Sequence, residues 1–270
     1  PDAAEKILHF NIDEMIRHAE LDESEVHPLT IARQPDDLAY AIYTSGSTGM
    51  PKAVLISNRN LSHSNSSRIQ YFRDPVESFL LMSSFAFDSS IAGIFWTLCT
   101  GGNLVLPADG QERDVFEISQ LVKTQAITHV LCLPTLYSLL LESSKRSDLG
   151  SLRVVCVAGE ECSANLVRKH FEQLPHTALY NEYGPTECTV WSTVHKFSPD
   201  EDPEYVPIGR AIPNSQVFVL DSRRRIVPVG VPGELHIGGN GVAVGYLDRA
   251  DLTEQRFVEF RMEDGSARRG

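Results

Sequence analysis

From Leu38 to Tyr180 the chain alternates short apolar runs with amphipathic segments of helical length, and this rhythm limits the possible folds more than any other feature. Leu38–Tyr43, Ala53–Ile56, Asn103–Leu106, His129–Leu133, Arg153–Ala158 and Thr177–Tyr180 read as strands. Asn58–Phe72, Asp114–Thr124, Thr135–Leu141 and Ala164–Leu174 read as helices, the first capped by Ser57 or Asn58 and the third opened by Pro134. Asp88 precedes a further helix whose apolar face is Ile91, Ile94, Phe95 and Leu98, closed by Gly101-Gly102. Strands alternating with helices in this way predict an α/β fold, a mostly parallel sheet flanked by helices. The rhythm stops near Pro207. Gln216–Asp221 and Glu234–Ile237 are β runs separated by Arg/Pro/Gly turns, which predicts a smaller β-rich, barrel-like subdomain over 207–270. The α/β core then covers 36–206, behind a charged lead-in over 1–35.

Between the first two strands lies Tyr-Thr-Ser-Gly-Ser-Thr-Gly-Met-Pro-Lys, Tyr43 to Lys52. Gly46 and Gly49 permit unusual backbone angles and a close approach of main-chain N–H groups to a ligand. Thr44, Ser45, Ser47, Thr48 and the Lys52 ammonium add donors suited to phosphate oxygens. A plain solvated loop has the same composition. A P-loop does not fit: Gly46-Ser-Thr-Gly49 has the wrong spacing, and Ala53 follows Lys52 where a hydroxyl is required.

A net charge of −12 argues against nucleic-acid binding, which needs a basic face. No stretch is long and apolar enough to span a bilayer, and the N-terminal residues lack a secretory layout. Five cysteines without a Cys-x-x-Cys pair suggest reduced thiols and a cytoplasmic setting. Cys156 and Cys162 have no partners at zinc-site spacing.

Ligands of open α/β sheets sit beyond the carboxyl ends of the strands. Four unusual segments fall there: the loop after Tyr43, Phe87-Asp88, Ala158-Gly159-Glu160, and Asn181-Glu-Tyr-Gly-Pro-Thr-Glu187. Leu38 to Lys52, Phe87-Asp88, Asn181 to Glu187, and Gly233-Glu-Leu-His-Ile-Gly-Gly-Asn-Gly241 running on to Gly245-Tyr246-Leu247 resemble, in order, motifs of the adenylate-forming enzymes. Within that superfamily the resemblance is to amino-acid adenylation domains of nonribosomal peptide synthetases, and it covers most of the chain from about Pro35.

The resemblance implies that Thr44 to Gly49 and Lys52 bind the phosphates of ATP. It places Tyr183 against adenine, with Asn181 and Gly159 near the base edge. Thr186 would bond the α-phosphate and Glu187 would hold Mg²⁺, a role suited to a hard oxygen ligand. An α-amino acid would become an aminoacyl adenylate, later transferred to the phosphopantetheine of a carrier protein domain. A small activator protein is a further partner the resemblance allows. The sequence departs from the family at Ala53 and Asn58, where Gly and His are usual, and at Val244, where Arg is common. The early N-terminal motifs, the ribose-binding aspartate, the hinge and the C-terminal subdomain with its lysine do not occur in these residues. Weak ATP binding and slow adenylation are therefore expected of this polypeptide alone.

Read by residue type alone, Asp88 before a helix is an N-cap; the resemblance makes it the partner of the substrate's α-ammonium. It also places Ser89, Ala92, Cys132, Cys156, Ala158, Glu182, Val190 and Trp191 around the side-chain pocket. Small residues at Ser89, Ala92 and Ala158 should leave room for a long or bulky side chain. Glu182 calls for a donor, which a tyrosine, basic or amide side chain would supply. Two other classes compete: an acyl- or aryl-CoA ligase of the same superfamily, which would lack the need for Asp88, and a non-catalytic core that binds a partner.

Overall fold

A computed structural model describes residues 32–45, 50–201, 203–261 and 267–269. The expected lead-in lies almost wholly outside them. Strands β1 (Leu38–Thr44) and β2 (Lys52–Ser57) form an antiparallel hairpin, and the first helix, α1, spans Asn58–Phe72. Its cap is Ser57, whose hydroxyl accepts from the Asn60 N–H while the Asn60 side chain accepts from the Ser57 N–H. Then follow β3 (Ser78–Leu80), α2 (Asp88–Cys99), β4 (Asn103–Val105), α3 (Val115–Thr124), β5 (His129–Cys132), α4 (Pro134–Ser143), β6 (Val154–Val157), α5 (Ala164–Gln173) and β7 (Ala178–Tyr183). The chain continues through β8 (Thr193–Lys196), β9 (Arg210–Ala211), β10 (Ser215–Leu220), β11 (Glu234–Gly239), β12 (Gly245–Tyr246), α6 (Ala250–Arg256), β13 (Glu259–Arg261) and β14 (Ala267–Arg269).

The main sheet has seven strands in the order β4-β3-β5-β6-β7-β8-β9. Its first five strands are parallel, β8 is antiparallel to β7, and β9 is antiparallel to β8. Alternate residues along each strand face opposite sides, so the sheet carries two cores. Val130, Val155, Val157 and Leu179 pack with Ile118, Tyr137, Leu140 and Leu166 from α3, α4 and α5. Leu131, Cys156 and Tyr180 pack on the other face with Phe72 of α1 and Trp96 of α2. This burial on both faces is why the parallel strands read as continuous apolar runs.

Three expectations change in the structure. β1 and β2 do not join the parallel sheet; they form a separate three-stranded antiparallel sheet with β12. β1 is its edge and is largely exposed, with Ile42 its one buried residue, so its apolar run reflects the hairpin and not a central strand. The buried face of α2 is Ser90, Ala92, Gly93, Trp96 and Thr97, while Leu98 is exposed. Small residues win this face because the sheet lies very close: a Cβ on Gly93 would come within 2.5 Å of the Phe79 ring. Finally, the main sheet takes its last strand from Arg210–Ala211, beyond Pro207, where the sequence rhythm changes. The β-rich remainder is two hairpins, β10–β11 and β13–β14, together with the β12 pairing.

Candidate active site

One face of α1 is buried although it is polar, and that face organises the site. Asn60, His63, Ser64, Ser67 and Arg68 are all buried. The Asn60 amide donates to the carbonyls of Asn240 and Val242 at 2.8 and 2.9 Å. His63 Nε2 lies 3.0 Å from the Pro213 carbonyl, to which the Ser67 hydroxyl also donates. The Ser64 hydroxyl donates to the Thr189 carbonyl at 2.9 Å. The helix thus satisfies the carbonyls of three loops that carry no regular ladder of their own.

The loop after β7 is the most constrained of them. Thr189 and Val190 have φ of 59° and 79°, a region that β-branched residues avoid. The strain is held by the Ser64 bond, by Thr189 Oγ1 donating to Gly241 at 2.7 Å and by Trp191 Nε1 donating to the Ser64 carbonyl. Gly184 makes the return possible, since a Cβ there would lie 2.4 Å from the Trp191 Cα. Between these anchors the short 3₁₀ turn Thr186–Cys188 presents Thr186 and Glu187.

Lys52 and Tyr246 meet Glu187 through strand register. Tyr246 of β12 lies opposite Val54 of β2, and Lys52 is two residues before Val54 on the same face. Lys52 Nζ is 2.7 Å from both Glu187 Oε1 and the Tyr246 hydroxyl. The Tyr246 hydroxyl also donates to Glu187 Oε1. The Ala243 N–H, donating to the Glu187 carbonyl at 2.8 Å, fixes the backbone. Burial raises the Glu187 carboxyl's pKa, but the bonds from Lys52 and Tyr246 outweigh it and hold the group below its ordinary value.

Asp88 is the first residue of α2 and not its cap; Phe87 holds that position. The Asp88 Oδ2 is buried without a hydrogen-bond partner. Burial pushes the carboxyl's pKa up and the nearby Glu187 adds to this, against the opposing influence of the Thr186 hydroxyl and the Ser89 N–H. A buried carboxylate oxygen with no donor invites a cation. The Thr186–Glu187 dipeptide therefore has an unpartnered anion nearby and holds a lysine through Glu187.

Glu182 differs from these. Arg68 NH1 and NH2 donate to Oε1 and Oε2 at 2.7 and 2.8 Å. The two side chains are 1% and 2% exposed. The guanidinium carbon lies 4.2 Å from the Trp191 ring centroid and 5.3 Å from that of Trp96. The donor that the sequence reading sought in a substrate is supplied by the protein itself.

Ala92, one turn along α2 from Asp88, packs with Cys156, Val190 and Trp191 on one side of the sheet, where Arg68, stacked on Trp191, holds Glu182. Ala158 packs against this cluster too. Cys132 does not join it; its side chain faces the opposite core, beside Tyr137 and Ile118. Ser89 donates to Ser83. Gly159, at φ 84°, and Tyr183, 39% exposed, stand at the carboxyl ends of neighbouring strands in the register Val157↔Asn181. Asn181 is buried and donates to the Pro207 carbonyl at 2.9 Å. Thr44 donates weakly to the Lys52 carbonyl and Ser45 is exposed, while Gly46, Ser47, Thr48 and Gly49 lie outside the described residues.

Tyr246 and Arg68 were not singled out from sequence. Gly245-Tyr246-Leu247 was visible as a motif without a role. Arg68 gives only a weak signal, a charge at helical spacing from Ser64 and Phe72.

A family model described as AMP-binding enzyme matches residues 2–247. Bacitracin synthase 3 of Bacillus licheniformis is 43% identical over 223 residues, which cover 82% of this chain and 3% of that protein. The AMPPNP-bound form of the nonribosomal peptide synthetase FmoA3 superposes with a TM-score of 0.80 at 29% identity, over 90% of this chain and 26% of that one. PA1221, a nonribosomal peptide synthetase protein containing adenylation and PCP domains and bound to a vinylsulfonamide inhibitor, gives a TM-score of 0.81 at 29% identity, over 94% and 44%. The chain thus spans 3% of that bacitracin synthase and less than half of either solved structure. No helix among the described residues is long and apolar enough to cross a membrane. With the family model spanning residues 2–247, this chain belongs to the AMP-binding enzymes.

Proposed function

We propose that this chain provides the ATP- and amino-acid-binding surface of an adenylating ligase. The reaction is attack of an α-amino acid carboxylate on the α-phosphorus of ATP, giving aminoacyl-AMP and pyrophosphate. One observation carries the reading: the unpartnered, buried Asp88 oxygen lies near the turn whose Glu187 pairs with Lys52. An α-ammonium and a phosphate held at those two points bring carboxylate and phosphorus together.

Asp88 binds the ammonium, which relieves its buried charge. Thr186, close to Asp88, sits between the amino acid and the α-phosphate. Lys52 moves from Glu187 to the phosphates, together with the hydroxyls and amides of Thr44 to Gly49. Tyr183 offers an exposed ring face to adenine beside Gly159, and Asn181 stiffens that edge through Pro207.

Glu187 fits Mg²⁺, because this ion takes one or two carboxylates plus phosphate oxygens and not a cage of protein ligands. Among the described residues no cluster of three or more His, Cys, Asp or Glu forms such a cage. When bound, Mg²⁺ offsets triphosphate charge. The PA1221 protein joins adenylation and PCP domains, which supports a phosphopantetheine carrier as the acceptor of the activated amino acid.

The test is calorimetry with non-hydrolysable acyl-sulfamoyl-adenosines. Aminoacyl forms should bind at least about tenfold tighter than the same compounds lacking the α-amino group, and Asp88→Asn should erase the difference. Equal affinity for both forms would favour an acyl- or aryl-CoA ligase instead. Failure of every compound to bind would overturn the reading.

A further inference from the structure

Tyr246 touches both members of the Lys52–Glu187 pair. Its hydroxyl accepts from Lys52 Nζ at 2.7 Å and donates to Glu187 Oε1, and the lysine ammonium lies 4.3 Å from the centroid of its ring. Lys52 and Glu187 are flexible side chains, 15% and 23% exposed, and can turn. Tyr246 cannot. On either side of it, the Val244 and Leu247 N–H groups donate to the Leu55 and Ala53 carbonyls of β2, each at 3.0 Å. The Tyr246 N–H donates instead to Thr253 Oγ1 of α6 at 3.0 Å, and that hydroxyl donates to the Arg249 carbonyl at 2.9 Å. Gly245 allows the close approach of α6, since a Cβ there would lie 2.7 Å from Thr253 Cγ2. The Tyr246 ring packs edge-on against Phe257 at 5.4 Å, and the residue is buried. It is a fixed post between two movable charges.

When Lys52 turns to the phosphates, one of the two donors on Glu187 Oε1 leaves and the other stays. A carboxylate that lost both would regain its rotamer freedom and lose it again on binding a cation. With the Tyr246 hydroxyl still donating, Oε1 remains engaged, and neither Lys52 nor Tyr246 bonds Oε2. The same segment fixes the Glu187 backbone, because the Ala243 N–H donates to its carbonyl at 2.8 Å. Residues 243–246 thus hold Glu187 at backbone and side chain, independently of the lysine. Partners behind a ligating carboxylate set its orientation, and their loss weakens metal affinity.

We infer that Tyr246 is a positioning residue, which keeps Glu187 in place for a divalent cation after Lys52 has moved to the phosphates. The inference rests on the adenylation reading and adds a division of labour to it: Lys52 serves the nucleotide, and Tyr246 serves the metal ligand.

The experiment measures AMPPNP affinity by calorimetry with and without Mg²⁺ and reads the ratio of the two, the Mg²⁺ gain. Tyr246→Phe keeps the ring with its packing on Phe257 and removes only the hydroxyl. Its Mg²⁺ gain should fall by about three- to tenfold, short of the complete loss expected of Glu187→Gln, while affinity without Mg²⁺ stays within about threefold of native. Lys52→Met should do the opposite. It should lower affinity with and without Mg²⁺ alike and keep the native gain, because Tyr246 alone holds Glu187. A native gain in Tyr246→Phe, whatever its Tm, leaves the hydroxyl a packing role and overturns the inference. Loss of the gain in Lys52→Met overturns it as well, and that result decides even where Tyr246→Phe does not fold. Either outcome leaves the adenylation reading intact. Native protein that binds AMPPNP with no Mg²⁺ gain contradicts the role of Glu187 itself, and the inference falls with it.

Discussion

Two glutamates five residues apart, Glu182 and Glu187, each pair with a cation, and they have opposite fates. Glu182 and Arg68 are sealed beneath two tryptophans, 2% and 1% exposed, with every carboxylate oxygen engaged. Glu187 and Lys52 are 23% and 15% exposed, and the bonds from Lys52 and Tyr246 converge on Glu187 Oε1. A buried pair with ideal geometry has no slack and holds a wall in place. A half-open pair can be exchanged for another cation and another anion. The same motif thus supplies a structural carboxylate and a working one, and the surroundings decide between them.

The largest effect expected from this difference is on stability. Glu182→Ala strands a guanidinium in the core and should cost about 3–5 kcal/mol, measured by urea unfolding. Replacing both Glu182 and Arg68 by Met should recover most of that loss, so the two substitutions are strongly non-additive. Additive losses would break the view of the pair as one unit.

Glu187→Gln should behave in the reverse sense. Its stability change should stay within about 1 kcal/mol, as for other partly exposed ion pairs. Mg²⁺-dependent binding of AMPPNP, a close ATP mimic, should fall by at least about tenfold. Asp88→Asn sharpens the contrast further. It removes a buried, incompletely partnered charge, so Tm should rise by a few degrees while the preference for aminoacyl over desamino ligands is lost. A fall in Tm would mean that the Asp88 carboxylate stabilises the fold and is not held ready for a ligand.

The α/β architecture was legible because its parallel strands are buried on both faces and its helices have apolar stripes. The hairpin β1–β2 was misplaced because an apolar run does not reveal which sheet it joins. Leu98 and Ile91 misled for a related reason: close packing against Phe79 favoured Gly93 and Ala92 on the inner face of α2. The site was legible as motifs at strand ends, which brought Asp88, Thr186, Glu187 and Lys52 into one reading. Arg68 was not, since the inner face of α1 is Asn60, His63, Ser64, Ser67 and Arg68, and hydropathy patterns register polar residues as solvent-facing. The missing information was the bare carbonyls of three loops, which no local pattern encodes. Glu182 was correctly read as needing a donor, but the sequence did not show that the donor lies 114 residues earlier in the same chain.

The smallest expected effect concerns pH. The Glu187 carboxyl is held below its ordinary value of 4.5, so its pairing stabilises the fold above that value and is lost as pH falls through the lowered one. The native protein and Glu187→Gln should therefore differ by a few tenths of a kcal/mol at neutral pH and converge well below pH 4.5. Urea midpoints at the two conditions give the comparison. A difference that grows in acid would place the stabilising proton on the wrong state.

The central claim is that Glu187 and Lys52 hold each other only until a metal–nucleotide arrives. Titration of AMPPNP into native protein and Glu187→Gln, each with and without Mg²⁺, tests it most directly. The account predicts that Mg²⁺ strengthens binding to the native protein and that this gain vanishes in Glu187→Gln, with both proteins equally folded. The same Mg²⁺ gain in both would contradict it.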